Sequence, residues 1–464
     1  MKQTSNIFRR IWLGLFLLMV YKLQAQEAIE VSSTHPQYWA YQGKTVLLLG
    51  GSIDDNLFQI PDLEAHLDLL KEVGGNYVRN TMSSRDSANV WAFHFDESKQ
   101  LYDLKVWNEE YWRRFEQFLE LTAESDIIVQ IEIWATFDFY RDNWEKSPFN
   151  PKNNSSYTSK RSKLPETVET HPIFTENPFF WSIPLQHNNI PVLTYQQKFV
   201  DKLLSYSLQY GNVLYCIDNE TSVTASWGRF WADYIRKKAA EAGKRVNITE
   251  MWDPWDLGHI SHRESFDHPE IYSFVEISQN NHQRAQNHWD NGLAQIERLK
   301  KLDNLRPVTN VKTYGSDTGR HGGGTQNGIQ SFMRSVFFGS AAVRFHRPTS
   351  GLGLGTEAQA VIRSMRQLSE RMDFFNACPQ NDLLSHREDN EAYCRAISGR
   401  TYALYFTDGG EVGLNLAKAK GRARIQWLEV MKSRWTQGDI LQGGKEVMVK
   451  APASGHWVML LNFE

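Results

Sequence analysis

From Gln26 to about Cys378 the chain alternates short apolar runs with longer stretches whose apolar residues recur at helical spacing. The apolar runs are Val46–Gly50, Tyr77–Thr81, Ile127–Trp134, Val213–Asn219, Val246–Glu250, Tyr272–Ile277, Pro307–Thr313 and Ala342–His346. Runs that are apolar throughout are what parallel strands covered by helices require. Between them, Asp62 can cap a helix to Val73 that carries Leu63, Leu67 and Leu70 on one face. Glu109–Ala123 does the same with Tyr111, Phe115, Phe118 and Leu119. About eight strands and as many helices predict a (β/α)8 TIM barrel. The alternative, a doubly wound sheet, lacks the Gly-rich turn a dinucleotide fold places after its first strand.

After Cys378-Pro379 the pattern changes to short alternating runs bounded by turns such as Asp408-Gly409-Gly410 and Gly443-Gly444. That predicts a small all-β sandwich over 379–464, with the barrel occupying 26–378. At the N-terminus, Lys2, Arg9 and Arg10 precede an apolar run from Ile11 to Tyr21, and Ala25 offers a small residue before a cut. Residues 1–25 therefore read as a secretory leader too short to span a membrane, and the protein as exported to the periplasm or beyond. The net charge of -3 supplies no basic footprint for nucleic acid. Cys216 reads as a core thiol; Cys378 and Cys394 have the option of pairing. No cofactor or metal pattern is present, and no feature of the sequence fixes an oligomeric state.

With 16 Trp, 18 Tyr and 25 Phe, many of them among polar residues, the chain suits ring-shaped polar ligands. The 135–191 loop, far longer than a usual connection, carries Phe137, Phe139, Tyr140, Trp144, Phe149, Phe179, Phe180 and Trp181 and reads as a lid or subsite wall. Barrel enzymes draw their catalysts from strand tips. Those tips hold Arg79; Glu132 and Trp134; Asn219 and Glu220; Glu250, Trp252 and Asp253; Glu276, Asn280, Asn281 and His282; Lys312 and Tyr314; and Arg344, His346 and Arg347.

Gly75-Asn76-Tyr77-Val78-Arg79 and the Asn219-Glu220 pair resemble the clan of retaining (β/α)8 glycoside hydrolases. The resemblance implies that Arg79 braces the site, Asn219 binds a sugar 2-hydroxyl and Glu220 is the general acid/base. The opening Tyr38-Trp39-Ala40-Tyr41-Gln42-Gly43-Lys44, the Tyr402–Phe406 run and His456-Trp457-Val458 resemble secreted apiosidase-like barrel proteins, whose C-terminal β-domain carries a collagen-binding label. The clan's nucleophile is a Glu closing strand seven. Arg306 to Gly315 contains no acid, and Lys312 or Thr313 stands in that place.

Glycoside hydrolysis ordinarily uses two carboxyls. The candidates for the second are Glu276, Glu250, Asp253 and Glu132, and Glu276 is favoured because Ser278 to His282 follow it with hydroxyl-binding groups. Its alternative is a structural ion pair with Lys312 or Arg344. Lys312 then reads as a counter-charge that keeps a carboxylate ionised. The expected catalytic residues are thus Glu220 and Glu276. Arg79, Trp134, Asn219, Trp252, Asn280, His282, Lys312, Tyr314, Arg344 and His346 are the expected carbohydrate contacts. Two other classes stay open: a polysaccharide lyase using Lys312, Tyr314, Arg344 and His346, and a carbohydrate-binding pseudo-enzyme that has lost its nucleophile.

Overall fold

The computed structural model describes residues 28–171, 178–317 and 323–463. The expected leader lies outside them. Eight parallel strands form the central sheet: β1 Leu48–Gly51, β2 Tyr77–Thr81, β3 Ile128–Ala135, β4 Val213–Thr221, β5 Asn247–Trp252, β6 Val275–Glu276, β7 Val308–Thr313 and β8 Ala342–Phe345. Their order is β5-β4-β3-β2-β1-β8-β7-β6. That is a cyclic permutation of chain order, and only a closed barrel gives it. The remaining seam, β5 to β6, is joined where Ser273 N–H donates to Ile248 O (3.0 Å) and Thr249 Oγ1 to Phe274 O (2.8 Å). The barrel expectation holds.

Tight approach between strands has its own sequence requirement. A Cβ at Gly50 would lie 1.8 Å from Tyr77 O, so β1 reaches β2 only because that position is glycine. Before the barrel, Glu30–Val31, Trp39–Tyr41 and Lys44–Val46 form a small antiparallel sheet. Its leading residue Ile29 bonds Gly211 and Asn247, at the entry to β4 and β5. The apolar run expected to begin at Val46 is therefore split between two sheets. The run expected over Tyr272–Ile277 keeps ladder geometry only at Val275–Glu276, because a 3-10 turn at Ser278–His282 ends it. A hairpin of Phe93–Asp96 and Leu101–Trp107, unforeseen in the sequence, fills the β2-to-helix connection.

The C-terminal strands form two antiparallel sheets, of six and three strands, beginning at Cys378–Pro379. The central strand Thr401–Phe406 is buried on both faces. Tyr402, Leu404 and Phe406 enter a core shared with Val412, Leu414 and Val449 of the second sheet, while Ala403 and Tyr405 join the core of the barrel. Period-two alternation thus faces the sandwich interior on one side and the barrel on the other. Arg395 fixes the junction, donating to Tyr38 Oη (2.5 Å), Phe374 O (3.1 Å) and Phe337 O (3.2 Å). Cys378 and Cys394 are free thiols, one exposed and one buried. Among the described residues no helix is long and apolar enough to cross a membrane.

Candidate active site

Strand β4 is buried along its whole length and ends in four polar residues, Asp218, Asn219, Glu220 and Thr221. Asp218 accepts hydrogen bonds from Thr136 N (3.0 Å) and Oγ1 (3.2 Å) and turns away from the mouth. Asn219 faces the mouth cavity, and its buried Oδ1 has no hydrogen-bond partner among the described residues. Glu220 adopts φ +67, a left-handed conformation that costs a Glu about 1–3 kcal/mol. Its carbonyl is held there by Thr136 Oγ1 (2.8 Å) and Ser222 Oγ (3.2 Å). The bend turns the carboxyl into the cavity, where Lys312 Nζ from β7 donates to Oε1 at 2.5 Å. Burial pushes the Glu220 carboxyl upward in pKa. The Lys312 ammonium, with Arg79 and His171 adding to it, outweighs burial and holds Glu220 below the ordinary Glu value. Glu220 is a carboxylate at neutral pH.

The cavity occupies about 450 Å³ at the C-terminal mouth of the barrel. Its floor is built on Asp55, four residues beyond the end of β1. Arg79 from β2 donates to Asp55 Oδ1 at 2.8 Å and pairs through Nε with Glu132 of β3 at 2.7 Å. Arg347 Nε (3.2 Å) and Arg85 (3.3 Å) approach Asp55 Oδ2, and His346 Nδ1 lies 3.5 Å from Oδ1. Burial disfavours charge on Asp55, yet the guanidiniums of Arg79, Arg347 and Arg85 hold it well below the usual carboxylate range. Burial also holds His346 well below its usual value, so its imidazole is neutral. The Tyr314 phenol, raised by burial and then by Glu220, keeps its proton and can donate to a ligand.

Of the residues expected at the site, Arg79, Asn219, Glu220, Lys312, Tyr314 and His346 line this one cavity. His282 stands exposed at its edge, its ring 6.4 Å from that of Tyr314. Arg344 lies deeper in the barrel, bound to Ser52 Oγ (2.9 Å from Nε) and Val311 O (2.8 Å), with its pKa lowered by burial to about 10. Three expected substrate contacts, Trp134, Trp252 and Asn280, and the expected second catalytic carboxyl, Glu276, lie outside this cavity lining. Trp134 is packed among Phe139, Phe149, Phe179, Phe199 and Trp231, since burying so large a ring against others is worth more than exposing it. Trp252 is buried with its indole N–H on Ser265 Oγ (2.9 Å). Asn280 is buried, donating to His288 O (3.0 Å). Glu276 sits inside the barrel, bonded by Ser278 N (2.7 Å), Ser278 Oγ and Thr309 Oγ1 (2.8 Å), and pairs with neither Lys312 nor Arg344.

Burial raises the Glu276 carboxyl to about 7 against the hydrogen bonds that oppose it. A folded-state pKa raised above the unfolded value contributes stability below about pH 4.5 and loses it as pH rises through 7. Glu276→Gln is therefore expected to raise the melting temperature at pH 8 relative to wild type and to leave turnover within about threefold, since the residue does not line the mouth cavity. Thermal denaturation at pH 5 and pH 8, with initial rates alongside, checks both parts.

Asp55, Arg85, Asp86, Asn143, Arg347 and Ser350 also line the cavity and were absent from the expected catalytic and carbohydrate-contact residues. The signal for Asp55 was present: Gly51-Ser52-Ile53-Asp54-Asp55 follows the first apolar run as Asn219-Glu220 ends the fourth. Most aromatics of the long loop form its own core rather than a subsite wall, with Phe139 stacked on Phe179 at 4.0 Å. Phe137 is the exception, lining the cavity beside Tyr140 and His171, whose rings lie 5.7 and 5.5 Å from it. At the β5 tip, Asp253 N–H donates to Thr221 O (3.1 Å), beside Glu220. Among the described residues no cluster of His, Cys, Asp and Glu has the arrangement of a metal site.

No protein-family model and no curated protein sequence matches the chain. Solved structures do. A glycoside hydrolase of family 5 from Bacteroides vulgatus ATCC 8482 superposes with a TM-score of 0.65 at 13% identity, over 94% of both chains. A second glycoside hydrolase gives 0.63 at 11% identity, over 94% of this chain and 97% of the other. At such identities the likeness is one of fold, and it extends across barrel and C-terminal sheets together.

Proposed function

We propose that the protein is a glycoside hydrolase that binds a carbohydrate in the mouth cavity and cleaves an O-glycosidic bond with Glu220. The observation that carries this reading is the Glu220–Lys312 pair: a strained, buried carboxylate aimed into a polar cavity at the catalytic end of the barrel. The lysine stands where the clan's nucleophile would be. It holds Glu220 ionised, which suits a nucleophile or base and not a proton donor. Asn219 Oδ1, the Tyr314 phenol and the Arg347 guanidinium supply an acceptor and two donors for sugar hydroxyls. The glycoside hydrolases sharing the fold support the same reading.

Export by the leader and an apiosidase-like subtype belong to this proposal. The residues behind the subtype resemblance are architectural: Tyr38 accepts from Arg395, and Tyr405 and His456 are bonded at 2.9 Å. They brace barrel against sandwich, so they speak for shared build and leave the substrate to the cavity. A lyase needs a free base. Lys312 is committed to Glu220 and Tyr314 keeps its proton, which leaves His346 alone for that task.

The test is incubation of the purified protein with a library of plant and microbial glycans. New reducing ends support the proposal. An unsaturated, ultraviolet-absorbing product transfers it to the lyase class, and binding without turnover transfers it to the pseudo-enzyme.

A further inference from the structure

Among the described residues that line the mouth cavity, Phe137 is the single side chain without a polar atom. It is half-buried, and it stands in the same lining as Asn219, Glu220, Lys312 and Tyr314. The turn Thr136–Phe139 sends its two rings different ways: Phe139 enters the core of the long loop, stacked on Phe179 at 4.0 Å, while Phe137 turns to the mouth. Tyr140 and His171 support it, with ring centres 5.7 and 5.5 Å away, and those two rings lie 5.1 Å from each other. A phenyl ring turned toward charged groups forgoes the burial that Phe139 gains from the same turn. That loss is recovered only when an apolar surface covers the ring. The main chain beneath the ring is tied to the carboxylate of the site. Thr136 N–H donates to Asp218 Oδ1 (3.0 Å), Thr136 Oγ1 donates to Glu220 O (2.8 Å), and Asn143 Nδ2 donates to Phe137 O (2.9 Å). Ring and carboxylate therefore share one rigid frame.

We infer that Phe137 is the platform on which a pyranose ring lies at the scissile bond, and that Thr136 holds this platform in register with Glu220. The inference rests on the glycosidase reading and adds a substrate class to it. A pyranose chair carries axial C–H groups on a face and hydroxyls around its edge. Laid on Phe137, the C–H face exchanges water for an aromatic surface, and the edge meets Asn219 Oδ1 and the Tyr314 phenol. Polar groups alone bind hydroxyls without choosing a face. The ring makes that choice, and with it decides which side of the sugar Glu220 meets. Thr136 does not line the cavity, so its part is positioning. Its hydroxyl also enforces the left-handed turn at Glu220, and removing that hydroxyl displaces the carboxylate while leaving the ring face in place.

Kinetics on the oligosaccharide that the glycan screen identifies separate the two roles. Phe137→Leu keeps an apolar side chain and removes the ring face. It is expected to raise KM by about 10–100-fold and to leave kcat within about threefold. Phe137→Trp restores a ring face and is expected to bring KM back to within about fivefold of wild type. An unchanged KM in the Leu variant, or a Trp variant that restores nothing, overturns the platform. Thr136→Val is expected to lower kcat by about 10–100-fold with KM changed less than about threefold, and Thr136→Ser to recover the loss. A change in KM alone, or no change, overturns the register. Contact is also read without disturbing the fold. A single 4-fluorophenylalanine placed at position 137 of the Glu220→Gln protein is expected to shift its fluorine resonance as the oligosaccharide is added, and a resonance unmoved at saturation overturns the platform. A wild type that releases only furanose sugars overturns the pyranose class. A wild type that cleaves no glycan removes the glycosidase reading itself, whereas normal cleavage with an unmoved KM in Phe137→Leu removes the platform alone.

Discussion

Replacing Arg79 with Met is expected to destabilise the protein by roughly 3–5 kcal/mol, the range found when one partner of a buried ion pair is removed. Arg79 is fully buried and joins two carboxylates from different strands, Asp55 beyond β1 and Glu132 on β3. Their fates in the variant differ. Asp55 keeps Arg85 and Arg347 within 3.3 Å, whereas Glu132 loses its ion-pair partner inside the barrel. Adding Glu132→Gln to the variant is therefore expected to recover most of the loss, whereas adding Asp55→Asn is not. The pH dependence carries a sign as well. Asp55 is depressed in the folded state, so its contribution is present above about pH 4 and disappears as pH falls through the folded value. Without Arg79 that depression shrinks, and the acid end of the stability profile moves to higher pH. Denaturant unfolding of the single and double variants from pH 3 to pH 7 reads both effects.

The largest functional effect is expected from Glu220→Gln: a fall in kcat/KM by about 10³-fold or more, with carbohydrate affinity changed only a few-fold. The amide preserves shape and the hydrogen bond from Lys312 but removes the charge that acts on the anomeric carbon. Glu220 also sets the acidic limb of the rate profile. Its folded value lies below the usual 4.5, so activity rises through that low region as the carboxylate forms. The acidic limb is expected to vanish from the residual activity of the Gln variant. Initial rates from pH 3 to pH 9, with calorimetric titration of a released oligosaccharide, separate kcat from binding. Undiminished turnover by Glu220→Gln would remove the residue from catalysis.

The barrel was legible because parallel strands covered by helices must be apolar throughout, and runs such as Leu214-Tyr215-Cys216-Ile217 have no other economical placement. The cavity lining was legible where a polar residue closes such a run, as with Asn219, Lys312, Tyr314 and His346. Trp134 shows where that reading stops. Its burial depends on Phe179, Phe199 and Trp231, which come to it from a distant loop and two helices. Nothing local to β3 announces them. Glu276 misleads for a related reason: the Ser278 to His282 groups that suggest sugar binding serve the protein itself, two of them closing on the Glu276 carboxyl and on His288 O. Asp55 escapes a reading that weighs strand tips from β2 onward, although the acids after Gly51 follow the same rule. The left-handed turn at Glu220 is invisible in composition, since Glu has no preference for it and the hydroxyls of Thr136 and Ser222 enforce it from outside.

One crystal structure would test the central claim most directly: Glu220→Gln with the oligosaccharide that the glycan screen identifies as substrate. The account predicts sugar density in the mouth cavity, with hydroxyls on Asn219 Oδ1 and the Tyr314 phenol and the scissile bond beside residue 220. A saturated complex with the sugar bound on the C-terminal sheets and the mouth cavity filled by water alone would contradict it.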